Sequence, residues 1–105
     1  MKTNTSIQIA QIILNQIKSI DRSALFAWGA KNYLALPESK DFQGGVTFKV
    51  NGLTFKGWVK VELTWLDEYK VSFINKKAEV VKSYEGVYYD MLVHIIDYIE
   101  GKYAA

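Results

Sequence analysis

The stretch VTFKVNGLTFKGWVKVELTWLDEYKVSF, residues 46–73, decides the fold. Val46, Phe48 and Val50 alternate with Thr47 and Lys49, and Asn51-Gly52 then offers the two positive-φ positions of a type I′ hairpin turn. Beyond it, Leu53, Phe55, Val59, Val61, Leu63 and Trp65 occupy every odd position except Gly57. Leu66-Asp67-Glu68 reads as a second turn, after which Tyr69, Val71 and Phe73 resume the alternation. A period of two sustained over this length predicts an antiparallel meander with one buried face.

The flanks supply helices. Thr5-x-x-Gln8 fits a capping box, and Ile9, Ala10, Ile13, Leu14, Ile17 and Ile20 then fall on one helical stripe, with Ile12 off it. Asp21 or Ser23 can cap a short helical turn over residues 24–28, closed by Gly29 as a helix C′ residue. Residues 32–36 read as a strand stopped by Pro37, and residues 38–45 as a polar loop ending in Gly44-Gly45. Asn75-Lys76-Lys77 marks a turn, residues 78–84 a last strand, and residues 87–100 a helix with Tyr88, Met91, Leu92, Ile95, Ile96 and Ile99 on its apolar stripe, ended by Gly101. The expected fold is therefore one α+β domain over residues 1–105: a four- to five-stranded, largely antiparallel sheet, with an N-terminal and a C-terminal helix packed on one face.

Composition narrows the chemistry. Half of the 105 residues are apolar, 14% are aromatic and a single Pro is present, which is the composition of a packed domain and not of a disordered one. Thirteen basic and eleven acidic residues leave a net charge of +2, too weak to demand nucleic acid and opposite to that of an acidic DNA mimic. The absence of cysteine rules out disulfides, thiol catalysis and cysteine-ligated metal centres. With no leader-like segment and no membrane-length apolar run, the chain is expected to act in the cytoplasm.

Each long helix carries one apolar stripe, so both are expected on the apolar face of the sheet. The opposite face would then stay open, bearing Thr47, Lys49, Thr54, Lys56, Trp58, Lys60, Glu62, Thr64, Lys70, Ser72 and Ile74. Trp58 and Ile74 stand out there among polar residues. An indole on an uncovered sheet face suits a protein partner, because Trp is enriched at interface hot spots. Trp58 and Ile74, ringed by Lys49, Lys56, Lys60 and Lys70, are the candidate partner-binding residues. Tyr84, Tyr88, Tyr89 and Tyr98, around the last helix, could extend such a surface or fill the rim of the core. The same lysines around one aromatic could instead neutralise phosphates while a base stacks on Trp58, which makes single-stranded nucleic acid the alternative ligand. Glu62 in the middle of the face and the lack of an RNP-like motif count against it. A second copy of the chain covering the face is the third possibility.

Catalytic readings are weaker. His94, the sole histidine, has Asp90 four residues before and Asp97 three after it, a spacing that suits proton transfer but equally a solvated helix face. No nucleophile accompanies it. Asp67-Glu68 could hold a hard cation but fits a hairpin turn, and Gly44-Gly45 lacks the Lys-Ser/Thr of a phosphate loop. The expectation is a protein that is not an enzyme and uses no cofactor or metal.

Several blocks resemble a family of small proteins encoded by bacteriophages and other mobile elements: Gly29-Ala30-Lys31-Asn32-Tyr33, Val61-x-Leu63, Leu66-Asp67-x-Tyr69-x-Val71-x-Phe73, and Glu85-Gly86-Val87-Tyr88 with Asp90, Leu92 and Ile96. The chain departs from the family at Ile20-Asp21-Arg22, where a Gly-Gly-Asn is usual, and at Trp28, where a Thr is usual. The resemblance implies an origin, an accessory protein acting inside a bacterium. With the missing catalytic constellation and the aromatic candidates of the open face, it makes stoichiometric binding of a host or phage protein the leading expectation, inhibition of a host defence nuclease complex being one specific form. Within the blocks only Lys31 and Asn32 lack a structural duty, which adds them to the candidate site residues.

Overall fold

The computed structural model describes residues 6–52 and 55–97. Five strands, β1 (Lys31–Leu36), β2 (Phe42–Asn51), β3 (Lys56–Thr64), β4 (Tyr69–Ile74) and β5 (Val80–Val87), form one sheet in chain order, each antiparallel to the next. Helices α1 (Ser6–Ile20) and α2 (Ala24–Ala27) precede the sheet, and a 3₁₀ turn (Tyr89–Met91) leads into α3 (Leu92–Ile96) after it. This is the α+β meander that the alternation predicts.

The register turns that alternation into rows. Val46 faces Val61, which faces Val71, while Phe48, Val59 and Phe73 form the next row. Directly opposed residues share a sheet face, so these rows make one apolar surface. Ile9, Ala10, Ile13 and Ile17 of α1, Ala24 and Leu25 of α2, and Leu92, Val93, Ile95 and Ile96 of α3 bury against it in a single core. Both helical ends of the chain thus pack on one face. At roughly 1.5–3 kcal/mol for each fully buried aliphatic or aromatic side chain, this core is the main source of stability.

Trp28 is its largest member and is completely buried. Its ring stacks on Phe48 at 6.4 Å between centroids, and its indole Nε1 donates a 2.8 Å hydrogen bond to Asp97 Oδ1 just past α3. Gly29, at φ +64°, closes α2 as expected: its own N–H reaches the Phe26 carbonyl and the Ala30 N–H the Leu25 carbonyl, a Schellman pair. The Trp28 carbonyl then accepts from the Asn51 N–H, tying the helix end to β2.

Several details differ from the sequence expectation. Asn51 pairs with Lys56 within the ladder, and Gly52 N–H reaches the Phe55 carbonyl, so the first reversal lies beyond Asn51-Gly52. Leu53 and Thr54 are outside the described residues, as are Thr5, Tyr98, Ile99 and Gly101. The Gly44-Gly45 pair lies inside β2, which begins at Phe42, because a Cβ on Gly45 would meet the Val61 carbonyl at 2.3 Å and Ile9 of α1 rests against Gly44. Trp65 is exposed in the turn, where Nε1 donates to the Lys40 carbonyl at 3.0 Å, since β3 stops at Thr64. Ile20, the last residue of α1, is exposed, whereas Ile9, Ala10, Ile13 and Ile17 of its stripe are buried. β5 continues to Val87, and α3 begins only at Leu92, with Tyr88 and Met91 exposed and Val93 buried in their stead.

The turns between β3 and β4 and between β4 and β5 share one construction. In each, a side-chain oxygen of the first residue (Thr64 Oγ1, Asn75 Oδ1) accepts from the N–H groups two and four residues on, and the fourth residue (Asp67, Ala78) takes a positive φ. Such loops fix hairpin register locally. Between the first of them and α1, Tyr69 is buried in the core face with its hydroxyl donating to Gln16 Oε1. Burial, assisted by the nearby Asp67 carboxylate, pushes its phenol from 10.0 up to about 12. The unfolded chain ionises near 10, so folding favours the neutral phenol. That contribution is complete below pH 10 and is lost as pH rises towards 12. In alkaline denaturation series, wild-type stability should fall more steeply over this window than that of Tyr69→Phe; parallel curves would contradict the assignment.

Candidate interaction face

The sheet face opposite the helices is built by the same pleat. One row crosses all five strands: Lys31, Lys49, Trp58, Ile74 and Val80, each directly opposite the next. The next row runs Leu34, Thr47, Lys60, Ser72 and Ser83. Trp58 and Ile74 are half-buried, while Val80 and the unpaired Val81 beside it, at a break in the β4–β5 register, are 59% and 47% exposed. The expected pair is therefore joined by further apolar side chains towards the β5 edge. The bulge that presents Val81 has no signature in a strand whose alternation is weak.

The lysines divide. Lys31, Lys49 and Lys56 come together with Lys76 of the β4–β5 loop around one recess of about 200 Å³, completed by Val50, Asn51 and Gly57. Lys60 is instead ion-paired with Glu62 on its own strand, at 3.6 Å. Lys70 lines a larger recess, about 390 Å³, with Asp41, Glu68 and Glu85. Positive charge is thus concentrated at one end of the face and matched by carboxylates at the other. Lys76 was legible in the sequence only as a turn residue. Asn32 does have a structural duty: it adopts φ +57° where the β1–β2 register shifts, a conformation that Asn tolerates better than most residues.

The remaining candidates fall elsewhere. Five-residue α3 does not carry Asp90, His94 and Asp97 on one face: Asp90 lies in the preceding 3₁₀ turn, His94 is exposed, and the Asp97 carboxylate accepts from Trp28. Asp67 Oδ1 accepts from Gln43 Nε2 at 2.9 Å and Glu68 Oε2 from the Tyr88 hydroxyl at 3.3 Å, so the two carboxylates of the turn serve separate partners. Tyr84 packs edge-on against Phe73. Tyr88 and Tyr89 border a groove of about 230 Å³ with Ile12 and Leu63, on the helical side of the sheet, so they do not enlarge the surface around Trp58.

Fold and face together define a small α+β domain with one sheet surface that no helix among the described residues covers, lined by lysines at one recess and by mixed charge at the other. Among the described residues no helix is long and apolar enough to cross a membrane. No protein-family model, no curated protein and no solved structure matches the chain.

Proposed function

We propose that the protein works by stoichiometric, non-enzymatic binding of another protein through this sheet face. The observation that carries the reading is the direct cross-strand pair of Trp58 and Ile74 on the side away from both helices, continued by exposed Val80 at the edge. An apolar centre with lysines 49, 56, 60 and 70 around it suits a partner surface with its own apolar centre and an acidic rim, since buried aromatic anchors supply affinity and complementary rim charge supplies encounter rate and register. The resemblance of the Gly29–Tyr33, residue 61–73 and residue 85–96 blocks to mobile-element proteins supports a bacterial partner, a host defence complex being one form.

Affinity capture from a bacterial lysate, followed by titration of the recovered partner, tests this. Trp58→Ala is expected to weaken the complex by about 2 kcal/mol or more, the hot-spot threshold. Unchanged affinity removes the face from the reading. Light scattering that gives twice the 12.0 kDa chain mass, reverting to the monomer in Trp58→Ala, would assign the face to a second copy instead. Single-stranded nucleic acid on the same face has less support, because Lys60 is paired with Glu62 and Lys70 shares its recess with Asp41, Glu68 and Glu85.

A further inference from the structure

We propose that the recess between Lys31, Lys49, Lys56 and Lys76 is a binding site for a compact oligophosphate anion, a triphosphate chain either free or carried by a nucleoside. Four cations reach it from four separate segments, β1, β2, β3 and the β4–β5 loop. Lys31 and Lys49 are directly opposed in the ladder, and like charges in that position are destabilising. Elsewhere on the same face Glu62 pairs with Lys60, and Lys70 lines a recess that also carries Asp41, Glu68 and Glu85. This recess has no such counter-charge: among the described residues no acidic residue lines it.

The remaining question is which anion fits. A single carboxylate cannot neutralise four lysines around one recess, whereas a chain of phosphates places several charges in one small volume, and Lys binds phosphate well as a point charge. About 200 Å³ is below the volume of a drug-sized pocket, so the recess holds the phosphate end of a ligand and not a whole nucleotide. A nucleic-acid strand is a poorer match, because it needs cations spaced along a track and these line one small recess. The recess shares Lys49 and Lys56 with the proposed protein contact, whereas Lys31 and Lys76 lie outside it, so variants at Lys31 and Lys76 test the recess by itself.

Calorimetric titration of the full chain with inorganic triphosphate, and separately with ATP, at low and at physiological ionic strength is the test. One triphosphate per chain is expected, with affinity that declines as salt rises. The Lys31→Gln/Lys76→Gln double variant should bind about tenfold more weakly or worse, while Lys70→Gln binds as wild type. Without anion the double variant should melt no lower than wild type, since it loses only repulsion; a lower melting temperature would remove the electrostatic argument. ATP that binds more tightly than triphosphate and quenches indole fluorescence points to a nucleoside-borne chain beside Trp58, and equal affinities to the free anion. Three results would overturn the proposal: no heat at millimolar triphosphate in low salt, equal losses in Lys70→Gln, or an oligothymidylate that binds far more tightly with losses spread over Lys60 and Lys70.

Discussion

Replacing Trp28 with alanine is expected to lower folding stability by about 3–5 kcal/mol, the range for truncating a buried aromatic. Three losses coincide. The ring is completely buried, so its removal leaves a large cavity between α2 and the sheet. Its stack on Phe48 disappears, and Asp97 loses the indole N–H it accepts from. A domain of this size has about 5–15 kcal/mol in hand, so the variant should be marginal, with a much lower midpoint in urea at an unchanged slope. Trp28→Phe separates the terms. It keeps an aromatic on Phe48 but leaves the Asp97 oxygen without its donor, at about 1–3 kcal/mol. A loss below 1 kcal/mol in Trp28→Ala would mean that the indole is not the anchor joining the two ends of the chain.

Gly57→Val should be nearly as damaging, at or above the roughly 3 kcal/mol upper end of ordinary overpacking. Gly57 breaks the apolar alternation of β3, and the reason is space. A Cβ there would sit 2.3 Å from the Ile74 carbonyl and 3.0 Å from the Phe55 ring, so β4 would have to move before any side chain fits. A backbone carbonyl held in a ladder cannot yield as a flexible side chain does. Gly86 provides the contrast. Nothing lies within 4 Å of the Cβ it would gain, and only its φ of +65° resists substitution, so Gly86→Ala should lose about 1–2 kcal/mol. Thermal melts of the two variants rank space against strain. If Gly57→Val melted no lower than Gly86→Ala, the close approach of β3 to the end of β4 would be refuted.

Much of the architecture was legible along the chain because it rests on local rules. The meander follows from alternation over residues 46–73, the burial of α1 from the spacing of Ile9, Ile13 and Ile17, and the end of α2 from Gly29. Boundaries were read less well wherever a residue's environment overrode its type. Gly44-Gly45 looks like a loop but is strand, because two neighbouring elements press on it. Trp65 continues the apolar pattern but belongs to a turn, holding carbonyls of the loop before β2. The last helix reads as long, yet β5 takes its first residue and a 3₁₀ turn those that follow Tyr88.

The candidate site divides in the same way. That Trp58, Ile74 and the lysines share one face is a consequence of the two-residue period of a strand, which the sequence carries by itself; so is the placement of both helices on the other face, given one apolar stripe on each. Which lysines meet was decided only by the tertiary structure. Lys31, Lys49, Lys56 and Lys76 line one recess because strand order and register bring four segments together, while Lys60 pairs with Glu62 and Lys70 lines a recess with three carboxylates. The bond from Trp28 to Asp97 spans 69 residues. Contacts between such distant positions leave no period in the chain, since they depend on how finished elements pack and not on how any one of them forms.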